Sequence, residues 1–218
     1  MKPTHIMLDL ETWGKRAGCD IRSIGATVFD PSQGVSTSDN IQPHDGATSG
    51  TFYIATSNPA LWPQLENEAH CERKYDLWRD PETVKWWSDQ SPEAQAAFAH
   101  PVDLREGLIR FADWLHQIAG REAYSPCKEY VPVQRVVVYA HGPQFDGSIL
   151  EAAYHACQLP VPWHYRAPRD TRTVFDIAGI EDHSGFMAMF STGTVHHALD
   201  DAICQARAVC AAFKVIRS

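Results

Sequence analysis

Thr4 to Leu10 (THIMLDL) is an apolar run that closes on Glu11, which predicts a strand. Ile21 to Phe29 carries apolar residues at 24, 26 and 28, the alternation of a second strand. Asp30-Pro31-Ser32-Gln33-Gly34 is dense in turn formers and suits a hairpin connection, and Thr51 to Ala55 reads as a third short strand. The chain is therefore expected to start with antiparallel strands. Residues 56 to 80 are irregular. Pro81, with Asp80 before it as N-cap, then predicts a helix through Trp86 and Trp87, and Ser91-Pro92-Glu93 restarts one by the same logic. Asp103 to Ile118 has a helical period, with apolar residues at 104, 108, 111, 112, 115 and 118. Arg135 to Ala140 is the continuous apolar run of a strand covered on both faces. Phe145 to Cys157 predicts a helix with its apolar stripe at 145, 149, 150, 153 and 157. Residues 159 to 172 read as a loop with a basic cluster at Arg166, Arg169 and Arg172, and 179 to 195 as a Gly-rich polar loop. A last helix starts near Ala198 and spaces Leu199, Ile203, Ala206, Cys210 and Phe213 by threes and fours. This order predicts an α/β domain with a mixed sheet.

Composition narrows the class. A chain of 218 residues fits one domain, and 44% apolar residues suffice for a core. The formal net charge of -8 argues against a nucleic-acid binder working through a basic surface alone. It is compatible with an acidic site neutralised by bound cations. The six cysteines form no CxxC pair and read as reduced thiols of a cytoplasmic protein. The N-terminal apolar run is broken by Asp9 and Glu11, unlike a signal peptide. No apolar stretch approaches the ~18 residues needed to span a bilayer, so no membrane role is expected.

The candidate chemistry lies in carboxylates. Asp9 and Glu11 are two apart on a strand, so they emerge on one face. Side by side they repel each other, and a divalent cation relieves the cost; the plainer alternative puts both at the solvent end of the strand. Asp146 begins a helix just beyond a strand end, where α/β folds place ligands, but also where an Asp simply complements the helix dipole. His196 and Asp201, five apart, would point about 140° apart on a helix. They converge only if His196 lies in the loop before it. Asp200 then serves as a solvent or capping residue, and His197 is the competing histidine.

LDLET (8 to 12), FDGSIL (145 to 150) and HHALDDA (196 to 202), with its H-x4-D spacing, resemble the DEDDh superfamily of 3'–5' exonucleases on a ribonuclease H-like fold. VKWWSDQSPEA (84 to 94), FDGSILEAAY and RDTRT (169 to 173) are similar to the branch containing phage exonuclease A, exonuclease VIII and a mycobacterial exoribonuclease. HGPQ stands where many relatives carry an Asn before the FD, which bears on how the terminal nucleotide is held.

The resemblance implies a mixed five-stranded sheet flanked by helices, forming one exonuclease domain over residues 1–218. It implies two Mg²⁺ or Mn²⁺ ions held by Asp9, Glu11, Asp146 and Asp201, ligands whose hard oxygens suit those metals. His196 would be the general base, and nucleoside 5'-monophosphates would leave the 3' end of RNA or DNA. Candidate substrate contacts are Leu10, Thr12, Trp86, Trp87, Phe145, Arg169 and Arg172. A stacked tryptophan is worth ~1–3 kcal/mol per base. Adjacent helical residues point about 100° apart, so one of the two tryptophans is expected in the core. Exposed aromatic helices make a homodimer an expectation. The rival readings are a ribonuclease H-like endonuclease, a non-catalytic nucleic-acid-binding module on the same fold, and a zinc protein built on the histidines.

Overall fold

The computed structural model describes residues 3–35, 50–66, 68–119 and 136–218; Arg135, His44 and Cys127 lie outside them. Strand β1 (Thr4–Thr12) sits inside the sheet, and both of its faces are apolar at the Thr4 end. Ile6, Leu8 and Leu10 enter one core and Met7 the other. Towards the Thr12 end the second face turns acidic, at Asp9 and Glu11.

Strand β2 (Ile21–Asp30) runs antiparallel to β1, with Gly25 opposite Asp9 and Ser23 opposite Glu11. The turn at 30–34 closes a hairpin, as its residues predict, onto the short β3 (Gly34–Val35). Strand β4 (Thr51–Ser57) pairs antiparallel with β2. On the other side of β1, β6 (Val136–Ala140) pairs parallel. Two further strands extend the edges: β5 (Val102–Asp103) beside β4 and β7 (Pro168–Asp170) beside β6. The mixed sheet thus has seven strands among the described residues, not five. The added strands are two or three residues long, too short to show any alternation.

The helices form two layers. α1 (Pro81–Ser88) and α2 (Pro92–Ala96) start where expected: Asp80 accepts from the Thr83 N–H and Ser91 from the Ala94 N–H. α3 (Leu104–Ile118) and α4 (Asp146–Ala156) cover the sheet face that carries Ile6, Leu8 and Leu10. α7 (Ala198–Arg217) covers the Met7 face through Ala202, Ala206 and Val209. Two expected loops contain structure. Residues 159–172 hold β7 and the start of α5 (Thr171–Ile177), and 179–195 hold α6 (His183–Ala188). Both short helices start at a capping carboxylate, Asp170 and Asp182 respectively, and pack Phe175 and Phe186 on the core.

Gly25 decides how closely α7 approaches. A Cβ there would lie 2.2 Å from the Ala198 carbonyl carbon and 2.3 Å from the Leu199 nitrogen. Only glycine lets the start of α7 rest on the sheet directly opposite Asp9. No helix among the described residues is long and apolar enough to cross a membrane.

Candidate active site

Three elements bring the predicted carboxylates together. Asp9 and Glu11 project from the acidic end of β1. Asp146, only 3% exposed in the first turn of α4, is anchored by the Leu10 N–H, which donates to its Oδ1 at 3.2 Å. Asp201 lies in the first turn of α7. Glu11, Asp201 and His196 each offer a ligand atom, and these atoms lie within 4.8 Å of one another.

His196 stands outside the helix, as its spacing to Asp201 requires. Its backbone is left-handed, with φ of 63°, which non-glycine residues rarely adopt. The ring meets the edge of Trp86 at a centroid distance of 4.9 Å. His197 is engaged elsewhere. It caps α7 by accepting from the Asp200 N–H and stacks on Tyr53, with centroids 4.2 Å apart. Asp200 ties down the preceding loop instead of capping α7, accepting from the Thr194 N–H at 2.9 Å.

Asp9, Glu11, His196 and Asp201 line a cleft of about 510 Å³, and Asp146 lies outside its lining. Leu10, Thr12 and Phe145 line it, together with Trp86 and Trp87. The tryptophans divide as expected: Trp86 is 41% exposed, whereas Trp87 is 2% exposed and its indole N–H donates to the Thr12 carbonyl at 2.8 Å. Arg169 and Arg172 are not among the cleft-lining residues. Arg169 donates to the backbone carbonyls of Arg166 and Pro168, and Arg172 pairs with Asp170 at 2.9 Å. Both guanidiniums are tied to their own β7 segment, although the charge of Arg172 still acts on Asp146.

Sequence reasoning missed Gln205. It lies one helical turn after Asp201, hence on the same face. Its Nε2 donates to Asp9 Oδ1 at 2.7 Å, and its Oε1 is buried with no hydrogen-bond partner among the described residues. The only available signal was the four-residue spacing from Asp201. Partners that orient a metal ligand typically matter 10–100-fold. Gln205→Leu is therefore expected to lower cation affinity or turnover by about 10-fold or more. Cation titrations of both proteins check this, and equal affinities with equal turnover would remove Gln205 from the site.

Burial and mutual repulsion raise the pKa values of the clustered carboxylates. Burial, then repulsion from Asp146, Glu11 and Asp201, holds Asp9 well above the carboxylate range, against the Gln205 hydrogen bond. Burial and the nearby Asp201 push Glu11 up to about 8, against attraction from Arg22. Burial pushes Asp146 up to about 7, against the Leu10 N–H and Arg172, and burial also raises Asp201. A metal-free native state thus keeps protons that the unfolded chain releases near pH 4–4.5. The contribution of these protons to stability is fully present below that range and is lost as pH rises through about 7 to 8. The melting temperature in EDTA is expected to fall between about pH 5.5 and pH 8.5. The increment from added Mn²⁺ is expected to grow over the same interval, because cations and protons compete for these oxygens. A flat profile in EDTA would refute the electrostatic picture.

The mixed sheet, with carboxylates carried on β1, α4 and α7, is an α/β architecture shared with solved nuclease structures. The family model described as the 3'-5' exoribonuclease Rv2179c-like domain matches residues 4–213, and the chain belongs to that family of 3'–5' exonucleases. Solved structures share the fold at low identity. Cell-death related nuclease 4 (CRN-4) aligns with a TM-score of 0.56 and 14% identity over 96% of this chain and 63% of its own. E. coli exonuclease I in complex with a 5cy-dT13 oligonucleotide aligns with a TM-score of 0.55 and 14% identity over 100% of this chain and 43% of its own. S. pombe Pop2p in a Mg²⁺- and Mn²⁺-bound form aligns with a TM-score of 0.52 and 14% identity over 96% and 82%. The chain thus spans less than half the length of exonuclease I. No curated protein sequence matches it.

Proposed function

We propose that residues 1–218 act as one DEDDh exonuclease domain, which hydrolyses phosphodiester bonds from the 3' end of a nucleic acid and releases nucleoside 5'-monophosphates. The observation that carries this reading is the meeting of Glu11, His196 and Asp201 within 4.8 Å at the floor of an aromatic-walled cleft. Asp9, Glu11 and Asp201 would hold one divalent cation, and Asp9 with Asp146 a second. The oxygen-rich donor set and its raised carboxylate pKa values fit Mg²⁺ or Mn²⁺. The Mg²⁺- and Mn²⁺-bound Pop2p neighbour supports the same metals. When bound, such cations would supply charge stabilisation to the attacking and leaving oxygens of the displacement.

The chain's own groups do the rest. His196 takes a proton from the attacking water, and the Trp86 edge and the left-handed backbone fix its ring over the cleft. Trp86 offers an exposed ring to the terminal base, while Leu10, Thr12 and Phe145 shape the wall around it. Arg172 stands at the Asp146 side, near the β6–α4 link at Gly142. The family description favours RNA as the substrate, and the oligonucleotide complexes of exonuclease I support a single strand in the cleft.

With Mn²⁺, 5'-labelled single strands are expected to shorten stepwise from the 3' end while closed circles stay intact. Cutting of circles would establish the endonuclease reading instead. Failure to release mononucleotides from either RNA or DNA would leave a binding module, and stoichiometric tightly bound zinc would favour a zinc protein. A cytoplasmic setting accords with the free thiols of Cys19, Cys71, Cys157, Cys204 and Cys210. A homodimer, for which exposed Leu61, Trp62 and Trp78 offer apolar surface, is checked by light scattering.

A further inference from the structure

A second cavity, of about 640 Å³, lies on the other side of α1 from the cleft. Helix α1 is a partition. Glu82, Thr83 and Trp86 face the cleft, and Pro81, Val84, Lys85 and Ser88 face the second cavity. These sets follow the three- and four-residue spacing of opposite helix faces. The end of β1 divides in the same way: Thr12 lines the cleft and Trp13 the cavity.

The second cavity has the opposite electrostatic character. The cleft is lined by Asp9, Glu11, Glu82 and Asp201, with Lys15 and His196 beside them. The cavity is lined by Arg22, Arg79, Lys85 and His70, with Glu68 as its one carboxylate. On a chain of net charge -8, this is a local reversal. Arg79 is neutralised by Asp20 at 2.9 Å and Glu66 at 3.4 Å. Arg22 makes no ion pair among the described residues. It is 8% exposed, feels the charge of Glu11 from the cleft side, and its Nη1 finds no hydrogen-bond partner there. Its guanidinium is held against Phe98, Trp87 and Trp13, 3.7 to 4.3 Å from their ring centroids, and Nη2 donates to Gln95 Oε1 at 3.3 Å. Rings offset only part of the cost of burying a cation. The cavity is therefore lined by a buried guanidinium with an open N–H and no ion pair, and by the exposed Lys85.

We propose that this cavity is a phosphate-binding site, and that it takes the backbone of the substrate strand on the 5' side of the nucleotide held in the cleft. Lys85 would meet the phosphate directly, and Arg22 would act through its field. Only one helix, about 10–12 Å across, separates the two sites, so a strand of several nucleotides can engage both. The acidic cleft and the basic cavity then divide the work: one needs cations before it accepts a phosphate, the other accepts one without them. This assignment of a strand rests on the exonuclease reading above; the phosphate chemistry does not.

The test compares the wild-type chain with Lys85→Glu in Mn²⁺, on strands whose 3'-terminal linkage resists hydrolysis. Dissociation constants are measured over a range of salt for a dinucleotide and for a strand of about a dozen nucleotides. On the long strand the variant is expected to bind about five-fold more weakly at low salt, and its salt slope to flatten by about 0.7, the value of one phosphate contact on a single strand. The dinucleotide, too short to pass α1, reports neither change. A second arm titrates inorganic phosphate and follows the melting temperature. A rise in the wild type that the variant lacks, with equal strand slopes, assigns the site to a free phosphate. Equal slopes together with equal phosphate responses overturn the site. If the wild type releases no mononucleotides from ordinary strands, the exonuclease reading fails on its own and the phosphate arm still judges the cavity.

Discussion

Glu11→Gln is expected to lower turnover about 1,000-fold while raising the melting temperature of the metal-free protein. The two effects have one cause. Glu11 is 9% exposed and faces Asp201, so its carboxylate is costly in the fold unless a cation neutralises it. Glutamine keeps the shape and removes the charge. The attraction to Arg22 is lost as well, but burial outweighs it, so the net change for the empty site is stabilising. The catalytic loss follows from charge stabilisation worth several kcal/mol, of which about 4 correspond to a factor near 1,000. The stability gain is read near pH 8 in EDTA, where the carboxylate is ionising. Each kcal/mol relieved raises the melting temperature of a chain this size by roughly 2–4 °C. A fall in melting temperature in EDTA would mean that Glu11 is structural.

His196→Asn should separate proton transfer from cation binding. General-base catalysis typically contributes 100- to 10,000-fold, and a loss of that order is expected in turnover. Asparagine tolerates the left-handed backbone that His196 adopts, so the loss would not come from strain in the 191–197 segment. Because His196 also lies within ligand distance of Glu11 and Asp201, its role is decided by a second measurement. If cation affinity survives in the variant, His196 handles the proton. If affinity collapses as in Glu11→Gln, His196 is a ligand. His196→Gly, which the backbone equally accepts, should recover part of its activity with added imidazole in the first case only.

Much of this was legible in the sequence, for identifiable reasons. The period of two puts Asp9 and Glu11 on one face, and the 140° argument places His196 outside α7. Both rest on backbone geometry that no tertiary contact overrides. The Asp80 and Ser91 caps were readable because capping is local. Strands β5 and β7 were not, because two or three residues paired at a sheet edge leave no periodic trace. Helices α5 and α6 are seven and six residues long, too short to show a helical period. At the site, Gln205 and Gly25 escaped notice because their meaning is a long-range contact: the Gln205 bond to Asp9 spans 196 residues of sequence. Arg169 and Arg172 formed a suggestive basic cluster, but their hydrogen bonds run to their own backbone and to Asp170.

The seat that Gly25 provides for α7 also sets when the protein can become active. His196, Asp201 and Gln205 all arrive on or beside the last helix, and they complete a site begun at Asp9. A chain emerging from the ribosome carries the β1 carboxylates early, but has nothing to close the cluster until α7 has been synthesised and settles on Gly25. A nascent or clipped chain lacking that helix would be unable to assemble the cation site. That order of assembly would keep the proposed cation site open until the last helix has been made.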